Sequence, residues 1–493
     1  MRNVKKNVVY SAIGYMLPLL AALVTIPIMV KHLGSDLYGL YAICISLVGF
    51  MTLVDLGVGQ TVVKYVAEYE ATEQRYAVKP LLDIAFLIYV VIGFLAASLL
   101  FGFSGKLGTF FFENNEQQLL AKSVLQLTAI ALFFSYVNQF FVNVCRAYHR
   151  FDIPSIMQNV GNLGGIVLAS ALLLMGYSIK AIMLGYIVIY STAFVYGYYA
   201  SSKVIPAEIR LGFAFDRDVF QVILDFSLYA FISNFLHSLT SRGDKLFIGG
   251  IIGAEAVTFY QIPYTIAQMA NGIVHTLVQI VFPRFSELVA LEEEEKLAAL
   301  YKTVTQAMML ISGFLAVLLI TVGDDFLTLW LSEAFAAKAA ITLQIMAVYS
   351  FFQANIVVSY WLVQSTGNTK LIAWISLLGA TIYFMSVYFL GKTFGYNGAA
   401  AALFGLLVPV PIWFIWLQRH LAYRFGEYLW WLSVTILGVL SLIYALNTMN
   451  DYLDNPLLAI LADGVIAAGL LLGGLWLLFK PSQLTWFVKR HSA

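Results

Sequence analysis

Apolar residues run through this chain in blocks of twenty or more, separated by short polar stretches that hold most of its charge. A helix needs about 20 apolar residues to cross roughly 30 Å of hydrocarbon. On that measure the pattern predicts an all-α integral membrane protein with about fourteen transmembrane helices. The spans lie near 9–31, 38–62, 81–102, 121–145, 154–175, 179–200, 228–252, 256–282, 300–322, 339–363, 370–391, 396–417, 429–446 and 457–479. The connections are short. The longest, about 27 residues between spans six and seven, is too small for a soluble domain. The first apolar block follows the basic MRNVKK. It is too long for a signal peptide and lacks a small-x-small cleavage site, so it reads as an uncleaved span.

Composition agrees. Of 493 residues, 61% are hydrophobic and 11% charged, with mean hydropathy +0.84. A soluble chain of this size carries far more charge. The net charge of +1 argues against nucleic acid as a partner. Cys44 and Cys145 fall in or beside apolar segments and read as small hydrophobes without a disulfide. Charge also orients the chain. With both termini in the cytoplasm, cytoplasmic segments hold twenty of the 28 Lys and Arg and outer loops hold six. That bias fits the positive-inside rule. The two left over are Arg242 and Lys245.

The sequence repeats internally. HLGSDLYGLYAI (32–43) aligns with GIIGAEAVTFYQI (250–262), so that Gly34 matches Gly253 and Tyr41 matches Tyr260 at an offset of 219. Glu68 matches Glu287 at the same offset, and GFLA at 93–96 recurs at 313–316. Each repeat then holds six spans in parallel topology, related by an axis along the membrane normal, as in many transporters. The expected organisation is an N-terminal six-helix bundle (1–200), a cytoplasmic linker (201–227), a C-terminal six-helix bundle (228–420), and two additional helices with a cytoplasmic tail (421–493).

The repeat locates the leftover charges, which sit in HSLTSRGDKLFIGGIIG (237–253). Span seven should end just before Gly253, as span one ends just before Gly34. Arg242, Asp244 and Lys245 then lie inside the span, roughly 12–16 Å below its outer end. Buried charges there cost roughly 2.5–3.5 kcal/mol each on insertion scales, so they face a partner or a water-filled cavity. Two readings stay open: a self-contained ion cluster that locks helices together, or a cationic site in a polar cavity. Neighbours one to three residues apart do not all share one helix face, so Asp244 and Lys245 need not act alike.

Other polar residues within spans are few. Asp55, in LVDLGVGQ, lies deep in span two and is either an ion-coupling site or half of a structural pair. His237 and His275 read as packing or hydrogen-bonding residues. Asn138, Asn143, Arg146, Gln158, Asn159 and Asn162 gather near the cytoplasmic junction of spans four and five, where interhelical hydrogen bonding accounts for most of them. Arg146 sits at the interface, within reach of a phosphate. The chain has no phosphate-binding loop for ATP, no His/Cys metal spacing and no Ser-His-Asp grouping, so neither an enzyme nor a cofactor is expected.

Two stretches carry a family resemblance. Residues 8–70 hold Leu33-Gly34-x-x-x-Tyr38-Gly39 followed by Asp55-Leu56-Gly57, and residues 225–290 hold GDKLFIGGIIGAEAVTFYQIPYTI and FPRFSEL. Together they resemble the Wzx-type oligosaccharide flippases, the polysaccharide-transporter branch of the multidrug/oligosaccharidyl-lipid/polysaccharide superfamily. The resemblance implies two six-helix bundles around a V-shaped cavity. It implies movement of an undecaprenyl-diphosphate-linked oligosaccharide (an O-antigen repeat unit) from the inner to the outer leaflet of the bacterial cytoplasmic membrane. Alternating access, driven by a proton or sodium gradient, follows from the same likeness, as do membrane lipids, a polysaccharide polymerase and assembly proteins as partners. The positions that fit the substrate-binding cations are Arg242 and Lys245, with Asp244 and Arg146 beside them. Asp55 and Asp244 are the candidates for ion coupling. Two rivals remain from sequence: a multidrug or cation antiporter of the same superfamily, which would need an acidic cavity, and a membrane polymerase or ligase, which would need a large outer loop.

Overall fold

The computed structural model describes residues 2–478, apart from 54–57, 72–73, 149, 151, 207–211, 213–215, 218, 222–238, 367, 421–424 and 451–455. Among the described residues every regular element is a helix. Ten helical stretches are long and apolar enough to cross a membrane. Two of them hold a break: Ala21–Phe50 at Gly34, and Lys370–Leu417, whose 48 residues exceed any single crossing, at Gly395. The described residues thus give a multi-pass helical membrane protein without fixing the number of crossings at fourteen.

The chain forms two compact units, Met1–Thr258 and Phe259–Ala493. In the first, α1 (Arg2–Leu53), α2 (Val58–Ala71), α3 (Val78–Phe111), α4 (Asn115–Ala147), α5 (Asp152–Leu174), α6 (Ile179–Val204) and α7 (Asp244–Ile252) supply the helices. Its core lies between α2, α3 and α4, where Tyr89, Tyr136, Phe140 and Phe141 are fully buried with rings tilted or edge-on at 5.3–6.0 Å. Such geometry suits the aromatic quadrupole. Two members of the polar cluster expected near spans four and five join helices: Asn143 Nδ2 donates to Tyr89 Oη at 3.1 Å, and Asn138 Nδ2 donates to the Tyr190 carbonyl at 3.0 Å, whereas Gln158, Asn159 and Asn162 are exposed. Those bonds tie α4 to α3 and to α6.

In the second unit α8 (Ala254–Ala290) continues into it, followed by α9 (Glu294–Thr321), the short α10 (Gly323–Trp330), α11 (Glu333–Ser365), α12 (Thr369–Ala402), α13 (Val410–His420), α14 (Phe425–Asn450) and α15 (Pro456–Leu478). The core joins α8, α9, α11, α13 and α14 around Tyr301, Val358, Leu362 and Trp413. Tyr301 Oη and Ser359 Oγ share a hydrogen bond of 2.8 Å within it.

Backbone geometry carries the repeat beyond what sequence identity shows. Four glycines have positive φ: Gly34 (73°), Gly176 (83°), Gly253 (106°) and Gly395 (61°). They form two pairs, since 253 − 34 and 395 − 176 both equal 219. Each breaks the chain between two helices, and only glycine takes that region without a Cβ clash. Each unit also holds a buried tyrosine pair joined through its hydroxyls, Tyr41 with Tyr186 at 2.9 Å and Tyr260 with Tyr383 at 3.1 Å.

Just after the Gly34 and Gly253 breaks the equivalence becomes reciprocal. A Cβ on Gly39 would strike the Ala254 carbonyl, while Thr258 Oγ1 donates to the Ser35 carbonyl at 2.5 Å. The offset maps 35 onto 254 and 39 onto 258, so the two contacts exchange partners. At the start of α3, buried Asp83 accepts from Lys79 Nζ and from the Gly212 amide, both at 2.6 Å, fastening the segment after α6 to this helix.

Candidate functional site

The three charges lie in and just after a π-turn. Leu239–Gly243 forms that wide turn and Asp244 opens α7. A π-turn inserts one residue per turn and changes which side chains share a face. The charges separate into two environments. Asp244 and Lys245 are buried, 0% and 3% exposed, and form an ion pair with Nζ to Oδ1 at 2.7 Å. The Lys245 amide also donates to Oδ1 at 2.9 Å. This pair meets the cost of two buried charges within one helix turn.

Arg242, two residues earlier, is exposed. Its guanidinium lies over Gly49 of α1, where a Cβ would collide with Nη1 and come within 2.6 Å of Cζ. Gly49 therefore acts as a seat that admits a flat cation against the helix backbone. Arg242 lies close enough to Tyr190 for its charge to act on that phenol, whose hydroxyl is hydrogen-bonded to Ser135. Tyr190 stacks on Tyr186, ring centroids 5.9 Å apart at 30°, and Tyr186 joins Tyr41 through its hydroxyl. The result is a cation beside the Tyr190 phenol, at one end of a chain of tyrosines. Guanidinium presents a planar fork of donors that matches phosphate oxygens two at a time.

The remaining sequence candidates fall elsewhere. Arg146 is half-buried in the last turn of α4, its Nη1 3.5 Å from Asn143 Oδ1. It stands eleven residues, roughly 16 Å, along α4 from Ser135 at the level of Tyr190. The structure therefore does not bring Arg146 beside Arg242. Asp55 and His237 lie outside the described residues. Among the described residues no group of three His, Cys, Asp or Glu side chains could hold a metal. Gly49 and Tyr190 escaped sequence reasoning. The signal for Gly49 was its offset of 193 from Arg242, which no periodicity reveals.

Among the described residues, a helix-only fold in two units, with glycine breaks repeated at a fixed offset, defines a multi-pass membrane protein built by duplication. Comparison with known proteins is specific. A family model described as "Polysaccharide biosynthesis protein" matches residues 4–289, and the chain belongs to that family. A Shigella flexneri protein named "Putative O-antigen transporter" is 22% identical over 403 residues, covering 81% of this chain and 93% of that protein. Among solved structures, the lipid II flippase MurJ in an inward closed conformation superposes with TM-score 0.74 at 13% identity, covering 95% of this chain and 99% of its own. An inward-facing multidrug resistance MATE transporter of the MOP superfamily gives 0.69 at 12%, covering 82% and 94%. At such identities the structural likeness establishes the fold, that of the MOP-superfamily flippases and transporters. The chain is a non-enzymatic, multi-pass membrane transporter.

Proposed function

We propose that this transporter flips an undecaprenyl-diphosphate-linked oligosaccharide from the inner to the outer leaflet of the bacterial cytoplasmic membrane, supplying repeat units for surface polysaccharide. The observation that carries the reading is the exposed guanidinium of Arg242 on its glycine seat. A diphosphate cannot enter hydrocarbon without a replacement for its water. A planar cation facing aqueous space offers that replacement through charge-assisted hydrogen bonds. Family membership and the likeness to a protein named as an O-antigen transporter support the same cargo.

The roles follow from the two environments. Arg242 contacts the diphosphate. The Asp244–Lys245 pair holds the turn that presents it, and Lys245 becomes a second phosphate contact only if the pair opens. Arg146 meets a phosphate nearer the cytoplasmic face. Coupling to a proton or sodium gradient falls to Asp55 or to Asp244 released from Lys245. Both termini face the cytoplasm, as the Lys and Arg bias requires. The bilayer holds the polyprenyl tail, and polymerase and assembly proteins receive the product outside.

The test is surface glycan in cells that depend on this chain. Arg242→Ala should abolish or strongly reduce it while the protein stays in the membrane, and Arg242→Lys should retain part. Normal surface glycan with Arg242→Ala, or drug efflux dependent on the chain with glycan unaffected by its deletion, would refute the reading.

A further inference from the structure

The second unit carries a polar track that the cationic site does not use. Along α8, Tyr264, Gln268, Asn271 and His275 recur at helical spacing, spanning eleven residues or roughly 16 Å. From α11, Ser350 and Gln353 reach the middle of this stripe and Trp361 reaches its end. Asn271 Nδ2 donates to Gln353 Oε1 at 2.7 Å, Ser350 Oγ at 3.1 Å and Gln268 Oε1 at 3.4 Å. Gln268 Nε2 in turn donates to Tyr264 Oη at 2.8 Å. His275 meets the Trp361 ring edge-on, centroids 5.7 Å apart.

Three features distinguish this track from ordinary helix joining. The Asn271 amide nitrogen is shared among oxygens of Gln268, Ser350 and Gln353, which gathers carboxamides and a hydroxyl from two helices at one point. Gln268, Asn271 and Gln353 are only half-buried, although all three sit inside long apolar helices. Intramembrane polar side chains that are not enclosed face a water-filled space or a bound group. Finally, a small cavity lined by Asn271, Ser312 and Ser350 among apolar residues extends the track inward.

The centre of the track, Gln268, Asn271, Ser350 and Gln353, holds no acidic or basic side chain to balance a diphosphate, and His275 stands at its end. Carboxamides and hydroxyls that both donate and accept, flanked by an aromatic ring, suit a neutral ligand that brings hydroxyls and C–H faces. We propose that this track is a saccharide-binding subsite that holds the sugars of the cargo, separate from the cation that holds its diphosphate. The assignment rests on the cargo proposed above. Under it, Arg242 sets affinity for any lipid diphosphate, and Asn271 with Gln353 sets preference for the glycosylated one.

Binding to the purified full-length protein in nanodiscs of phosphatidylethanolamine and phosphatidylglycerol tests this, with two probes: undecaprenyl diphosphate and undecaprenyl-diphosphate-linked N-acetylglucosamine. The wild type should bind the sugar-bearing lipid about tenfold more tightly, as two net hydrogen bonds provide. Asn271→Ala, and independently the similarly sized Gln353→Met, should bring that ratio close to one while leaving undecaprenyl diphosphate affinity within about twofold. Arg242→Ala should weaken both lipids and keep the ratio. Because the readout is a ratio within each variant, a general loss of folded protein cancels. A wild-type ratio of one, or an unchanged ratio in both variants, would overturn the saccharide subsite and leave the flippase reading standing. A wild type that binds neither lipid would defeat the flippase reading and this inference with it.

Discussion

Arg242 rests its guanidinium directly on Gly49, so that the space of a single methyl group decides where the cation lies. The atoms a Cβ would strike are the far end of a flexible side chain, which can swing aside while the helix stays in place. Gly49→Ala should therefore leave the fold intact, with stability unchanged or raised by up to about 1 kcal/mol through helix propensity. Transport should fall toward the level of Arg242→Ala. Thermal unfolding in detergent, read beside surface glycan, checks the pair of outcomes. Equal loss of stability and function would mean the glycine serves packing alone.

The buried pair calls for a double substitution. Removing one partner leaves an uncompensated charge, so Lys245→Met or Asp244→Leu alone should cost roughly 3–5 kcal/mol. Asp244→Leu with Lys245→Met should recover most of that, since apolar replacement of a whole buried pair is often close to neutral. Unfolding of the four proteins in one detergent measures the coupling. If the double variant is as unstable as the sum of the singles, the two charges do not act as a pair.

The glycine breaks should respond alike across the repeat. Nothing lies within 4 Å of a Cβ built at Gly34, Gly176 or Gly395, so alanine there meets only the cost of left-handed backbone, about 1–2 kcal/mol. Similar melting shifts for all three alanine variants are expected. A much larger loss at one would reveal packing that the repeat does not share.

Asp83 offers a contrast. Its carboxylate receives Lys79 and the Gly212 amide while itself fully buried. Asp83→Ala strips the partner from that amide and should destabilise by roughly 1–3 kcal/mol. The segment around residue 212 should become more open to protease, which limited proteolysis of membrane vesicles would register. Unchanged cleavage would show that the segment is held by other contacts.

Much of this architecture was legible because membrane physics restricts the options. Apolar blocks marked the helices, and Gly34 with Gly253 marked the repeat. The second glycine pair went unread, although Gly176-Tyr177 and Gly395-Tyr396 stand at the same offset and could have been found. The division among the three charges was not legible. Adjacent residues on a regular helix point apart, and the long Lys245 side chain folds back to reach Asp244 Oδ1. The seat at Gly49 and the meeting of Asn271 with Gln353 depend on which helices touch, information that side-chain periodicity within one helix does not contain.

The most direct measurement uses purified protein in sealed liposomes loaded with an undecaprenyl-diphosphate-linked oligosaccharide, whose exposure in the opposite leaflet is followed by a membrane-impermeant glycan-modifying enzyme. Wild-type protein should render the inaccessible half of the lipid modifiable, and both Arg242→Ala and Gly49→Ala should slow that transfer at least tenfold (about 1.4 kcal/mol). Transfer that proceeds at the wild-type rate in both variants would contradict the central role of the seated cation, and no transfer by the wild type under any imposed ion gradient would contradict flipping itself.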